Sequence, residues 1–164
     1  MSTNRRQQER QRDRFLAFYA DTFDAAYRYA GRLCGSDREA AEDLVQDAYT
    51  AVLQQMRADD GRELETGYLI TTIRNRFLDR VRRADREERR LRLVASGPGE
   101  PEPALMPSQL ESLPERDRAA LVLRYVDDLP VPEVAEAMGL TVHATESLLA
   151  RARARLRGKD AEHA

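Results

Sequence analysis

Near the C-terminus the stretch TVHATESLLARARARLR, residues 141–157, sets arginines at 151, 153, 155 and 157 behind small and hydroxylated residues. On a strand all four would share a face; at the helical 100° per residue they fan around the axis. On that wheel Val142, Thr145, Leu149, Ala152 and Leu156 share one side. His143, Ala144, Ser147, Ala150, Arg151 and Ala154 face away, with Arg155 toward one flank. Small side chains let a helix approach base edges in a major groove, where Ser, His and Arg can read bases or hold phosphates. Arg153 and Arg157, on the other flank, suit backbone phosphates. A solvated end helix would carry the same arginines, so the neighbouring residues have to decide.

Those neighbours are VPEVAEAMGLT. A short helix over 132–138 is stopped by Gly139, and Thr141 can cap the next helix. That is the order of parts in a helix-turn-helix, with the arginine helix in the reading position.

Two further stretches have strongly biased charge. Residues 74–92 hold nine arginines against Asp79, Asp85, Glu87 and Glu88, while residues 36–48 hold five acids against Arg38. The whole chain is nearly balanced at −2, so different faces are made for different partners. On the acidic stretch, Asp43, Gln46 and Asp47 form one carboxylate and amide edge, able to take hydrogen bonds from basic side chains. The bland reading of that edge is a solvated face whose acids favour the start of their own helix. On the basic stretch, Thr72, Asn75, Asp79, Arg82, Arg83 and Arg86 point away from an Ile73, Phe77 and Val81 stripe.

The elements that must position these residues follow from periodicity. The chain has 164 residues, 34% of them charged and 6% aromatic, with no Trp, which suits small helical units better than a β-rich core. Apolar residues at 15, 16, 19, 23, 26, 27, 30 and 33 predict a first helix ended by Gly35. Ser36 with Glu39 has the form of a capping box opening a second helix, which buries Leu44, Val45, Ala48, Val52 and Met56. A third, long helix begins near Tyr68 and buries Leu69, Ile70, Ile73, Phe77 and Val81; its periodicity fades past Ala84. SGPGEPEPALMP, residues 96–107, has four prolines and two glycines and reads as an extended, flexible linker. Three or four short helices follow, with Pro114 and Pro132 where a first-turn proline is tolerated. The expectation is all-α. It comprises a polar extension (1–14), a helical domain (15–93), a linker (94–109), a helix-turn-helix domain (110–158) and a frayed tail (159–164).

Composition also excludes. One cysteine, Cys34, forbids an internal disulfide and fits a reducing cytosol. No secretory signal is expected from MSTNRRQQERQRDR, and no stretch approaches the roughly 18 apolar residues of a membrane span. His143, His163 and Cys34 are scattered, so neither a metal site nor a catalytic triad is expected, and no cofactor.

The segment LPERDRAALVLRYVDDLPVPEVAEAMGLTVHATESLLARARARLR resembles region 4 of the extracytoplasmic-function sigma factors of bacterial RNA polymerase. The resemblance lies in an L-P-x-x-x-R stretch, a short E-x-A-x-x-x-G helix and a recognition helix ending in R-A-R. AAEDLVQDAYTAVLQQ, residues 40–55, is similar to region 2 of the same family, and GYLITTIRNRFLDRVRRADR, residues 67–86, to its W-L-x-x-I-A-R-N-x-x-x-D-x-x-R stretch. Both sets stand in family order across residues 15–157. Asp47 replaces the usual Glu, Tyr49 the usual Phe and Tyr68 the usual Trp. Leu148 stands where many members carry Arg, so no DNA contact is carried over there; His143 and Thr145 also depart from the commoner residues.

The resemblance implies a promoter-specificity subunit acting in the bacterial cytoplasm. Asp43, Gln46 and Asp47 would bind the β′ clamp helices of the polymerase core, and the region 4 domain would meet the β flap. Thr72, Asn75, Asp79, Arg82, Arg83 and Arg86 would meet the −10 element; His143, Ala144, Ser147, Arg151 and Arg155 would meet the −35 element. Many members are also held by an anti-sigma factor. The loop over 58–66 is the candidate for capturing a melted base, without a matching motif. Tyr68 could stack on such a base, but its place at the head of a buried stripe favours a core role. Two rivals share parts of this pattern. A stand-alone helix-turn-helix regulator leaves the 67–86 helix unexplained, and a helical adaptor leaves both arginine faces unexplained.

Overall fold

The computed structural model describes the backbone of residues 2–58, 65–92 and 110–162. Six helices carry it: α1 (Ser2–Cys34), α2 (Arg38–Ala58), α3 (Thr66–Arg92), α4 (Glu115–Tyr125), α5 (Val131–Met138) and α6 (Val142–Glu162). No strand occurs among the described residues. The first three helices form one unit and the last three another, as periodicity predicts. The expected linker (94–109) lies outside the described residues, as does most of the 58–66 loop.

α1 is longer than its apolar stripe. It starts at Ser2, so the polar extension is helical, built from residues that tolerate a helix and supported by an Arg5–Glu9 pair at 3.4 Å. Its end is set by Gly35, at φ +67°, whose N–H donates to the Gly31 carbonyl at 2.8 Å. The cap of α2 differs from expectation. Asp37, not Ser36, receives the Ala40 N–H, at 2.9 Å, because Asp37 directly precedes the first helical residue. Ser36 is one position too early and offers its carbonyl to Arg38 instead, at 3.0 Å.

The stripe of α2 is buried as expected, from Leu44 to Met56. Tyr49, also buried, shares a hydrogen bond of 2.8 Å with the Thr22 hydroxyl, which gives its phenol a partner inside the apolar seam. α3 does not stop where its apolar periodicity fades. It runs on to Arg92, its polar end carrying an Arg90–Glu87 pair at 3.3 Å and an Asp85–Arg116 pair at 3.0 Å.

The two units are not separate beads. Leu33, Cys34 and Leu78 of the first belong to the same buried cluster as Leu113, Leu121 and Val134 of the second. Polar seams flank this contact. Arg118 of α4 is buried and donates through Nε to the Leu33 carbonyl at 2.7 Å, through Nη2 to that of Cys34 at 3.0 Å, and through Nη1 to that of Leu113 at 3.1 Å. A cation thus closes the C-terminal end of α1, where unpaired carbonyls concentrate negative charge. The mirror arrangement closes α5: Arg82 of α3 donates through Nε to the Ala137 carbonyl at 3.0 Å. Each unit lends an arginine to a helix end of the other.

Candidate polymerase and nucleic-acid interfaces

Three surfaces hold the residues that the sequence singles out. The first is the α2 edge. Asp43, Gln46 and Asp47 are all exposed, at i, i+3 and i+4, so they form one short acidic and amide row. Asp47 leans toward Arg76 of α3 at 3.7 Å, an exposed pair of little energetic weight. Beside the row runs a cleft of about 570 Å³ between α1 and α2. Phe15, Tyr19, Phe23 and Tyr27 of α1 line it, with Tyr49 and Gln46 of α2 opposite. The rings make a ladder, Tyr19 lying 5.2 Å from Phe23 and 4.7 Å from Tyr49 between centroids. Leu16 and Tyr19 remain exposed at 49% and 38%, although helical spacing alone groups them with the buried stripe. An apolar trough with an acidic rim suits a helix that offers both apolar and basic side chains.

The second surface is the outer face of α3. Asn75, Asp79, Arg83 and Arg86 are exposed. Thr72 is half-buried and turns its hydroxyl back to the Tyr68 carbonyl at 2.7 Å. Arg82 is engaged with Ala137, and its Nη1 lies 3.4 Å from Asp79. The basic face is therefore split, with its middle against α5 and its far end open. Tyr68 departs from the core role favoured by its position. It is 39% exposed in the first turn of α3, and burial begins one residue later, at Leu69.

The third surface is on α6. Gly139, at φ +66°, ends α5, and Leu140 donates to the Ala135 carbonyl at 2.8 Å. Thr141 then caps α6 through the Ala144 N–H at 3.1 Å. His143, Ser147 and Arg151 are exposed along one face with Ala144 half-buried among them. Thr145, Leu149 and Ala152 are buried on the opposite side, together with Leu148. Leu148 is core here, so that position offers DNA nothing. Val142, the first residue of the helix, is 44% exposed rather than on the packed side. Arg155 has a structural partner. Its Nη1 is paired with Oδ2 of Asp117, a carboxylate buried in the first turn of α4. Arg153 donates to the Tyr125 hydroxyl at 3.2 Å.

Sequence reasoning missed the residues of the seam between the units. Tyr29 donates its hydroxyl to Oδ2 of Asp127 at 2.7 Å, with Arg74 3.6 Å from the same oxygen. Burial, then the hydrogen bond to Asp127 and its charge, push the Tyr29 phenol far above its ordinary value. Arg80 reaches Glu115 at 2.7 Å and the Cys34 sulfur at 3.6 Å. Burial raises the Cys34 thiol, and Arg80 pulls part of the way back. Gly35 stands against this seam, where an added Cβ would lie 2.6 Å from Nη1 of Arg118, but in sequence the same glycine reads only as the stop of α1. Among the described residues no cluster of His, Cys, Asp and Glu could hold a metal ion, and no helix is long and apolar enough to cross a membrane.

Known proteins are similar to this chain in both of its halves. The sigma-70 region 2 profile matches residues 18–87 and the sigma-70 region 4 profile residues 105–156. The chain is 32% identical over 154 residues to the ECF RNA polymerase sigma factor SigE of Mycolicibacterium smegmatis, covering 85% of this chain and 59% of that protein. It is 46% identical over 48 residues to the RNA polymerase sigma factor SigF of Mycobacterium tuberculosis, 29% of this chain and 18% of that one. The chain thus spans about three fifths of the length of SigE. The fold is similar to that of the sigma factor RpoE from Bartonella quintana, solved with the anti-sigma factor NepR. The TM-score is 0.50 at 24% identity, over 88% of this chain and 94% of that one. With region 2 and region 4 domains in family order over most of its length, the chain belongs to the sigma-70 family, and over 85% of its residues it is similar to an extracytoplasmic-function member.

Proposed function

We propose that this protein is an alternative sigma factor: it docks on the core of bacterial RNA polymerase in the cytoplasm and directs initiation at promoters read through a −10 and a −35 element. The observation that carries this reading is the presence of both sigma-70 domains in one chain, each with an exposed face of the chemistry its task requires. The protein has no catalytic role of its own in this scheme; the polymerase performs the chemistry.

The acidic row of Asp43, Gln46 and Asp47 and the aromatic cleft beside it receive the β′ clamp helices, carboxylates taking charge-assisted hydrogen bonds from basic side chains. The region 4 domain meets the β flap. Asn75, Asp79, Arg83 and Arg86 approach the −10 element, with half-buried Thr72 and Arg82 among them and Tyr68 as a stacking surface for an unpaired base. His143, Ala144, Ser147 and Arg151 approach the −35 element in the major groove, and Arg155 steadies the helix through Asp117. Neither surface is large, so the polymerase, by holding both, raises the effective concentration of each reader at its element. The Bartonella relative was solved with an anti-sigma factor; a repressor of that kind would act here by covering the α1–α2 cleft.

Multi-round transcription with bacterial core polymerase on a sheared genomic library, with and without the protein, tests this. Initiation from discrete sites that requires both components is the expected result, and aligned start sites then give the promoter elements. Unchanged transcripts, with particular fragments retained by the protein alone, would replace the reading by that of a stand-alone regulator.

A further inference from the structure

The N-terminal part of α1 lies outside the region 2 match, which begins at residue 18. It nevertheless folds as a helix continuous with the domain. Residues 5–14 hold arginines at 5, 6, 10, 12 and 14 against Glu9 and Asp13. From Phe15 back to Ser2 this helix extends about 20 Å at 1.5 Å per residue. Where it leaves the domain, it and the last turns of α2 enclose a second cleft, of about 590 Å³. Gln8, Gln11 and Arg12 line it from α1 and Arg57 from α2, with half-buried Phe15 and Leu53 alongside. Arg12 and Arg57 are exposed.

The position of this cleft is informative. α1 and α2 run antiparallel, since Phe15 packs on Tyr49 while Tyr27 reaches Glu42. The cleft therefore lies at the end of the unit where α2 finishes, at Ala58, and α3 opens, at Thr66. Tyr68, in the first turn of α3, belongs to that same end. The acidic row of Asp43 and Asp47 stands nearer the other end of α2, so the two partners of the domain would meet surfaces of opposite sign.

We infer that this cleft is an additional binding site for the sugar-phosphate backbone of the melted promoter strand, adjacent to the bases engaged at the head of α3. The inference rests on the sigma-factor reading and extends it to a segment that the region 2 profile does not include. Arg12 and Arg57 supply charge for phosphates. The Gln8 amide can donate to phosphate and sugar oxygens, and Phe15 gives an apolar wall. An acidic protein surface could use the same arginines, but the cleft opens at the end of the unit where the DNA-facing helix α3 begins, so the DNA strand is the better match.

The test uses the full chain reconstituted with core polymerase. The DNA is a fork-junction duplex carrying a promoter found in the transcription experiment, with its non-template strand single from the −10 element onward. The Arg12→Gln, Arg57→Gln double variant is compared with the unsubstituted chain for affinity to core, and for retention of the fork over a range of salt. The expected result is unchanged core affinity, fork binding about tenfold weaker, and a slope of log affinity against log salt shallower by about 1.4, or about 0.7 per lost phosphate contact to a single strand. Unchanged fork binding and slope, with the unsubstituted chain still initiating, would overturn the site and leave the sigma-factor reading intact. A loss of core affinity instead would assign the cleft to the polymerase and overturn the DNA site. Failure of the unsubstituted chain to initiate would remove the reading itself, and the inference with it.

Discussion

The guanidinium of Arg118 occupies the space that any side chain at Gly35 would need: a Cβ there would lie 2.6 Å from Nη1 and 2.8 Å from the guanidinium carbon. Two residues 83 positions apart in the chain, one in the turn after α1 and one in α4, are thereby fitted to each other. The glycine also holds φ at +67°, which costs other residues about 1 kcal/mol. Gly35→Ala should therefore loosen the contact between the units as well as strain the turn. Arg118→Ala should do the same by leaving the Leu33, Cys34 and Leu113 carbonyls without their donor, at about 1–3 kcal/mol. Cys34 reports on this directly. It is buried between Arg80 and Arg118, and its thiol is held up by burial, so labelling by a thiol reagent is expected to be slow in the unsubstituted chain and several-fold faster in both variants. Equal labelling rates would mean that the units part readily without either residue's help.

The acidic row gives a prediction that separates binding from folding. Asp43→Lys and Asp47→Lys alter exposed positions, and the 3.7 Å contact of Asp47 with Arg76 is itself exposed, so urea midpoints should move by less than about 0.5 kcal/mol equivalent. Affinity for core polymerase, read by fluorescence anisotropy of the labelled chain, should fall at least about tenfold, since like charges would then face the basic clamp helices. A fall in both quantities would point to a structural role for the row.

Two arginines of α6 that look alike in sequence should behave differently. Arg151 is exposed beside Ser147, and Arg151→Ala should weaken discrimination among −35 sequences by about 1–3 kcal/mol, with stability unchanged. Arg155→Ala should instead lower stability, by about 1 kcal/mol, because it strips the partner from buried Asp117. Thermal melts and competition binding by holoenzyme would distinguish the two.

The seam also carries a pH dependence. The Tyr29 phenol has its value raised by burial and by Asp127, so in the folded protein it keeps its proton at pH values where the unfolded chain loses it. Its contribution to stability is intact below the ordinary phenol value of about 10 and is lost as pH rises beyond that toward the raised one. Urea midpoints at pH 9 and 11 should fall more steeply for the unsubstituted chain than for Tyr29→Phe, which should also cost about 1 kcal/mol at neutral pH through the lost hydrogen bond. Parallel pH profiles would show that the Tyr29–Asp127 contact does not persist in solution.

Much of this protein was determined by local sequence alone. The stripes from Leu44 to Met56 and from Leu69 to Val81, the stop at Gly139 and the cap at Thr141 follow from periodicity and backbone chemistry within a few residues. The exposed row on α2 and the exposed His143, Ser147 and Arg151 of α6 follow from the same period, because a helix with one face packed must show the other. Local pattern failed at chain junctions, where one position decides the outcome: Asp37 rather than Ser36 caps α2, and Val142 and Tyr68, in the first turns of their helices, stay exposed although helical spacing groups them with buried stripes. What only the tertiary structure decided is which arginines stay available. Arg82, Arg118 and Arg155 are all basic residues on predicted helices, yet Ala137, the end of α1 and Asp117 claim them. A guanidinium carries the same charge wherever it lies, and its partner here comes from a helix 38 to 85 residues away in sequence, so only the packing of α1 and α3 against α4 and α5, and of α6 against α4, could assign it.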